Sequence, residues 1–185
     1  MIEFRDLTAD EIEVRVQSIN VQKGVPTGVI LLLYKNARCD MNILDETVGT
    51  ENWQREHYEC KGNLFCRVGI NANYDDVSKP ERWIWKSDCG VESNTEKEKG
   101  EASDSFKRAC FNFGIGRELY TSPFIWIPAE QCEIYDTKRT DKYNNPKFAT
   151  NDRFRVEKIA TNDKKIMGLA IINESKKVRC FVWQR

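Results

Sequence analysis

Residues 94–120 read NTEKEKGEASDSFKRACFNFGIGRELY and contain the strongest helix pattern in the chain. Apolar side chains recur there at spacings of i, i+4, i+7, i+8 and i+11, a continuous stripe typical of a helix that packs on another layer. The stripe consists of Ala102, Phe106, Ala109, Cys110 and Phe113. Gly114 and Gly116 are expected to end the helix. The stretch therefore predicts a long helix lying on one face of a sheet.

Three strand-like runs precede this helix and predict the sheet: WQREHYECK, NLFCRVGINA and RWIWKSDCG. Lys61-Gly62-Asn63 is a hairpin signal between the first two runs, and a polar stretch with Pro80 separates the second from the third. Consecutive strands of this kind most simply form an antiparallel meander. Their aromatic side chains, such as Tyr58, Trp83 and Trp85, fit core packing, with base stacking as the alternative.

Further helices are predicted before these strands. Thr8 and Glu11 have capping-box spacing, and Ile12, Val16 and Ile19 follow at helical intervals. After the strand-like run GVILLLYK, residues 37–48 predict a second helix that ends at Gly49. The sequence thus predicts an α+β fold with an antiparallel β-β-β-α core and N-terminal helices.

The C-terminal part of the chain has a different pattern. Residues 136–152 are polar, include Asn-Asn-Pro and predict a linker or long loop. Three strand-like runs within residues 153–185 predict a small β-meander, which is expected to pack on the main sheet or on a neighbouring subunit. The predicted domains are therefore an α+β domain at 1–135, a linker at 136–152 and a meander at 153–185.

Composition restricts the class of protein. The 185 residues are 40% hydrophobic and 31% charged, which excludes a wholly disordered chain. The longest aliphatic run, Val29–Leu33, is far shorter than the roughly 20 residues of a membrane helix. The amino terminus lacks the layout of a signal peptide, and none of the seven cysteines forms a C-x-x-C pair. We expect a soluble, cytoplasmic protein with reduced thiols and no membrane contact.

Catalytic and metal-binding residues are sparse. His57 is the only histidine, and it fits a strand side chain better than a general base. The cysteines and His57 lack the paired short spacing of a zinc site. We therefore expect no metal, no cofactor and no enzymatic activity.

Charge is unevenly distributed along the chain. Lys and Arg number 29, as do Asp and Glu, so the formal net charge is zero. Residues 136–185 nevertheless hold 13 basic and 6 acidic side chains, a net charge of +7, and residues 1–135 have a net charge of −7. Such asymmetry indicates a nucleic-acid surface or an interaction tail. A solvated basic face without a partner explains it equally well.

The polar side of the long helix carries Lys97, Gly100, Asp104, Lys107 and Arg108. A glycine inside a helix costs about 1 kcal/mol relative to alanine, so Gly100 suggests close approach of another backbone or a ligand. Lys107 and Arg108 lie about 100° apart around the axis and can form one edge of a cationic groove. The alternative is a solvated helix face.

These residues resemble the RAD-fifty-two superfamily of single-strand annealing proteins, in particular its bacterial and phage DdrA-like branch. The resemblance covers about residues 30–120, and its most specific part is FKRACFNFGIG. The matching pieces are Arg38 to Gly49, Gly49-Thr50-Glu51-Asn52-Trp53, Ser87 to Glu92 and Glu96 to Gly114.

The resemblance implies a homo-oligomeric ring or filament that binds single-stranded DNA in a basic groove and anneals complementary strands in recombination or repair. It places Arg38, Lys107 and Arg108 in that groove. The full candidate DNA-binding set is Arg38, Lys97, Lys99, Lys107, Arg108 and Arg117. A recombination nuclease or a single-strand-binding protein is a further candidate partner.

Two other functions stay open. A metal-dependent nuclease would use carboxylates and a lysine, and both Glu59-Cys60-Lys61 and Glu174-Ser175-Lys176 have E-x-K spacing. Asp75-Asp76 or Asp88 would supply a further carboxylate to such a site. The second alternative is a phage-encoded interaction module that binds no DNA.

Overall fold

The computed structural model describes residues 2–91 and 97–185 and is mostly β, with strands at 48% of the residues. Short 3-10 turns occur at Ala9–Glu11, Arg117–Thr121 and Ala129–Gln131. In chain order the described strands and α-helices are β1 (Glu13–Gln22), β2 (Val25–Tyr34), α1 (Ala37–Val48), β3 (Trp53–Cys60), β4 (Asn63–Asn71), β5 (Trp83–Cys89), α2 (Lys97–Phe113), β6 (Ile125–Pro128), β7 (Ile134–Thr140), β8 (Pro146–Thr150), β9 (Phe154–Asn162), β10 (Lys165–Asn173) and β11 (Val178–Gln184).

The chain forms two compact units, each assembled from two separate segments. The helical unit comprises Met1–Leu7 and Lys35–Arg117, and the strand unit comprises Thr8–Tyr34 and Glu118–Arg185. The predicted domains are instead three consecutive segments, at 1–135, 136–152 and 153–185. Residues 136–152, expected there as a linker or loop, lie largely in the β7–β8 hairpin.

The helical unit contains an antiparallel sheet with strand order β3-β4-β5, and α2 packs on β4 and β5. From α2 the apolar stripe contributes Phe106, Ala109 and Cys110, which are completely buried. From β4 the side chains of Cys66 and Val68 are completely buried as well. The helix and the three strands therefore occupy the positions that their periodicities indicate.

Two glycines with positive φ follow α2, one where the helix ends and one where the chain passes Lys35. Gly114 has φ +98°, and Ile115 N donates to Cys110 O at 3.2 Å, which closes the last turn of the helix. Gly116 has φ +71°, and a Cβ at this position would lie 2.7 Å from Cδ of Lys35. The second glycine therefore leaves room for a buried lysine.

The strand unit contains a six-stranded antiparallel sheet with the order β11-β10-β9-β1-β2-β6. Its end strands, β6 and β11, also contact each other, so the sheet is nearly closed. Val29, Ile127, Val156, Ile166 and Ile171 are completely buried and form its core. Strands β7 and β8 form a separate two-stranded sheet in the same unit.

The predicted fold class, an α+β fold built on a β-β-β-α core with N-terminal helices, is wrong for the chain as a whole. The segment expected to be the first helix is strand β1. The contact between Thr8 N and the Glu11 carboxylate exists at 2.8 Å, but it caps only the turn Ala9–Glu11. Val14 and Val16 also fit strand alternation, and pairing of β1 with β2 over most of its length decides the conformation.

The C-terminal meander is not a small appendage. Strands β9, β10 and β11 make up half of the six-stranded sheet, and β9 pairs with β1 at Glu13 and Arg155. Pairing with β1 gives this meander the neighbour that three isolated strands would lack. Among the described residues, no helix is long and apolar enough to cross a membrane.

Candidate nucleic-acid interface

The first candidate cation, Arg38, lies in the first turn of α1 and is exposed. Asn36 sets the start of this helix, because its Oδ1 accepts hydrogen bonds from the backbone N of Arg38 at 2.9 Å and of Cys39 at 3.1 Å. Helix α1 packs against α2. This N-cap therefore fixes the backbone position of Arg38 at the start of α1.

Lys107 lies on α2 with 23% of its side chain exposed, less than a solvated helix face would give. Its Nζ lies 3.9 Å from the Asp104 carboxylate on the preceding turn. The positive charge of Lys107 also lowers the pKa of buried Asp40 on α1. Lys107 is therefore partly exposed on α2 and also acts electrostatically on the buried carboxyl of Asp40.

Arg108, the next residue, has 41% of its side chain exposed, and its Nε lies 3.3 Å from Oδ1 of Asp88 on β5. The contact connects α2 to the edge strand of the sheet. Lys107 and Arg108 are thus adjacent and partly exposed, and each lies near a carboxylate. A DNA phosphate at either side chain would compete with that carboxylate.

Arg117 lies beyond the C-terminal end of α2 and has a structural contact there. Its Nε and Nη2 donate to Phe111 O at 3.2 and 2.9 Å, and Nη2 also donates to Asn112 O at 3.2 Å. These bonds satisfy carbonyls of the last helical turn, which have no partner within the helix. The structure therefore gives Arg117 a helix-capping contact.

Lys99 is exposed in the first turn of α2. Lys97 begins the helix, but its side chain is outside the described part of the chain, as are Glu92 and Glu96 of the matching segments. At about 1.5 Å per residue, Lys99 is roughly 20 Å along the axis from the C-terminal turn that Arg117 caps. The six candidate cations therefore do not form one cluster.

A buried ion pair that the sequence analysis missed lies between α1 and α2. Nζ of Lys35 contacts Oδ1 of Asp40, and both side chains are at most 1% exposed. The Lys35 ammonium also lies 4.3 Å from the centroid of the Phe111 ring. Burial raises the pKa of the Asp40 carboxyl to about 6, and the charge of Lys35 opposes this shift. The other oxygen, Oδ2 of Asp40, accepts no hydrogen bond within the described residues.

The side of the three-stranded sheet away from α2 carries aromatic rings. Trp53 stacks on Phe106 of α2, so alternate residues of each strand must face away from the helix. On that opposite side Tyr58 stacks on Phe65 at 5.6 Å, and Trp83 lies 6.2 Å from Trp85. Tyr58 and Trp85 are 36% and 39% exposed, so the expected core role does not account for them.

Three of the carboxylates considered for a nuclease are already engaged with cations. Asp88 contacts Arg108, Glu174 pairs with Arg155 at 3.0 Å, and Asp76 pairs with Lys79 at 2.7 Å. Residues 2–91 and 97–185 contain no group of three His, Cys, Asp or Glu side chains that could hold a metal ion. His57 Nε2 lies 3.0 Å from Ala102 O, so this histidine connects β3 to α2.

The chain matches no protein-family model, no curated protein and no solved structure in the three comparisons made. What it does must therefore be inferred from its own residues and their geometry.

Proposed function

We propose that this protein binds single-stranded DNA and anneals complementary strands in recombination or DNA repair, acting as a homo-oligomeric ring or filament. The observation that carries the proposal is the adjacent, partly exposed pair Lys107 and Arg108 on α2. The pair belongs to FKRACFNFGIG, the segment in which the chain most resembles the RAD-fifty-two superfamily. Exposed Arg38, on the helix that packs against α2, supports the same surface.

Annealing makes modest chemical demands. Complementary strands pair without an active site, and the protein only has to neutralise phosphates along an extended strand. Two or three cations per subunit suffice when an oligomer repeats them along the DNA, because linked contacts raise the overall affinity. The proposed activity therefore needs no catalytic residue.

Local charge has to compensate for an unfavourable net charge. The helical unit holds 14 basic and 17 acidic residues, a net charge of −3. The contact between Lys107 and Asp104 is long and partly exposed, and such pairs contribute little free energy. A phosphate can therefore replace Asp104 at small cost, whereas Arg108 must leave the closer Asp88. We therefore expect weak binding per subunit.

The test is binding of fluorescent oligo-dT by the full chain, measured by anisotropy at several salt concentrations. The double substitution K107A/R108A should weaken binding and flatten the slope of log affinity against log salt by at most about 0.7 per lost phosphate contact. The matched control K61A/K79A removes two exposed lysines from the same unit. It should leave the affinity and the slope nearly unchanged.

Native mass spectrometry and strand-annealing kinetics complete this test. The proposal expects an oligomer larger than a dimer that takes up oligo-dT, and slower annealing of labelled complementary strands by K107A/R108A. Unchanged binding, slope and annealing in a folded K107A/R108A protein would contradict the assignment of these residues. A monomer at micromolar concentration would contradict the ring or filament.

A further inference from the structure

A large groove lies in the strand unit, and none of its lining residues belongs to the candidate interface. It has a volume of about 930 Å³ and is open to solvent. The turn between β1 and β2 contributes Gly24 to its wall, and β1 contributes Ile19 and Val21. The β7–β8 hairpin supplies the rest of the lining, including Tyr135, Arg139, Lys147 and Phe148.

The two cations in this groove have no ion-pair partner among the described residues. Among the described residues, neither Arg139 nor Lys147 forms an ion pair, whereas Arg155 and Arg179 of the same unit pair with Glu174 and Glu157. Both cations are exposed. The strand unit as a whole holds 15 basic and 12 acidic residues, a net charge of +3. The groove is therefore a place where positive charge is available to an anion.

The acidic side chains of the hairpin are occupied within its own turns. Asp136 accepts a hydrogen bond from Lys138 N at 2.8 Å and also contacts Nζ of that lysine. Asp141, which lines the groove, accepts from the backbone N of Tyr143 at 2.8 Å and of Asn145 at 2.9 Å. Lys147 acts on Asp141 only as the weakest of the influences that lower the pKa of that carboxyl.

Two aromatic residues line the groove together with these cations, and a third lies in the turn of the hairpin. Tyr135 is 43% exposed, and Phe148 is half-buried on the neighbouring strand. Tyr143, in the turn of the hairpin, is 73% exposed, with Lys142 Nζ 4.9 Å from its ring centroid. Aromatic faces alternating with Lys and Arg are what a single-stranded nucleic acid requires, because unpaired bases stack on rings while cations hold the phosphates.

We infer that this groove is a second binding site for single-stranded nucleic acid, with Arg139 and Lys147 on phosphates and Tyr135 stacking against a base. The inference deepens the proposed function and rests on it for the class of polymer, but it uses different residues in a different unit. A duplex would have no unpaired base for Tyr135, so single strands are the expected ligand.

The experiment uses the full chain and oligo-dT carrying photoreactive 5-iodouracil. R139A/K147A should weaken binding several-fold and flatten the salt slope by about 0.7 per lost contact. K165A/K177A, which removes two exposed lysines of the same unit outside the groove, is the matched control and should retain the affinity. Photo-crosslinks mapped by mass spectrometry should fall on the peptide that carries Tyr135 or the one that carries Phe148.

Two substitutions of Tyr135 distinguish a stacking role from a structural role. Y135F keeps the ring and should bind like the original chain, whereas Y135A should bind between about 5-fold and 100-fold more weakly. Equal binding of oligo-dT and duplex DNA of the same length would overturn the single-strand assignment. Full affinity of folded R139A/K147A, or crosslinks confined to the helical unit, would overturn the site.

The outcomes also separate this inference from the proposed function. Loss of binding in K107A/R108A together with full binding in R139A/K147A supports the first interface and overturns the groove. The reverse result supports the groove and overturns the first interface. A full chain that binds no oligo-dT at low salt overturns both.

Discussion

The buried pair of Lys35 and Asp40 gives a sharp stability prediction. Both side chains are at most 1% exposed, and Asp40 Oδ2 already accepts no hydrogen bond within the described residues. Replacing Lys35 by Met keeps a flexible chain of similar length beside Phe111 and Gly116 but removes the ammonium. The carboxylate of Asp40 would then be buried without its main countercharge.

The expected cost follows from this burial. Removing one partner of a buried ion pair typically destabilises a protein by about 3–5 kcal/mol, because the remaining charge stays out of water. That is a large part of a typical folding free energy of about 5–15 kcal/mol. The double variant K35M/D40N leaves no charge behind. It should therefore be more stable than K35M, and a double-mutant cycle should show strong coupling.

Acid should partly rescue the K35M variant. The folded-state pKa of Asp40 is about 6, above its ordinary value of 3.8, so the folded state takes up the proton first as pH falls. The contribution of Asp40 to the free energy of unfolding is therefore greatest below pH 3.8 and is lost as pH rises through its folded-state pKa of about 6. Without Lys35, which favours the carboxylate, the pKa of Asp40 should rise further. The deficit of K35M should consequently be smaller near pH 5 than near neutral pH.

The assay is urea unfolding of the original chain, K35M, D40N and the double variant, followed by tryptophan fluorescence at about pH 5 and at neutral pH. D40N should lack the contribution of Asp40 to the pH dependence. A K35M variant within about 1 kcal/mol of the original chain at neutral pH would refute the reasoning. A deficit that grows on acidification would refute it as well.

Two other substitutions test contacts around the end of α2. R117A should lower stability by about 1 kcal/mol, because the hydrogen bonds to Phe111 O and Asn112 O are lost. The salt slope of DNA binding should not change. A flatter slope at an unchanged melting temperature would assign Arg117 to DNA instead. G116A should cost at least about 1 kcal/mol more than G24A, because both positions have positive φ but only the first would place a Cβ against Lys35. Equal losses in chemical unfolding would contradict that packing.

Periodic segments were the predictable part of this fold. The stripe of Phe106, Ala109 and Cys110 specifies both the helix and its buried side, and these residues are indeed completely buried. Segment β1 was not predictable in the same way, because its apolar residues satisfy helical spacing and strand alternation at once. Pairing with β2, which local sequence does not record, selects the strand.

For the charged residues of the candidate interface, the sequence predicts the position in the fold but not the side chains that they contact. Lys107 and Arg108 lie on α2 as expected, but the contact of Arg108 with Asp88 joins residues 20 positions apart. Lys35 gave no signal, because lysine is rarely buried unless it is paired. The strands of the β7–β8 hairpin were not predicted, because most of their residues are exposed. A strand that is exposed to solvent on both faces shows no hydrophobic alternation.

The pattern of paired and unpaired cations says where salt dependence should originate. In the helical unit Lys107 and Arg108 each lie near a carboxylate, so a phosphate that binds there displaces an internal partner. In the strand unit Arg139 and Lys147 have no ion pair to lose, within the part of the chain that the structure describes. Each phosphate bound at the hairpin should therefore contribute its full share of counterion release from the DNA. At α2 a bound phosphate replaces a carboxylate of the protein, and the effect of salt on binding is correspondingly smaller. On this argument R139A/K147A should flatten the salt slope more than K107A/R108A does.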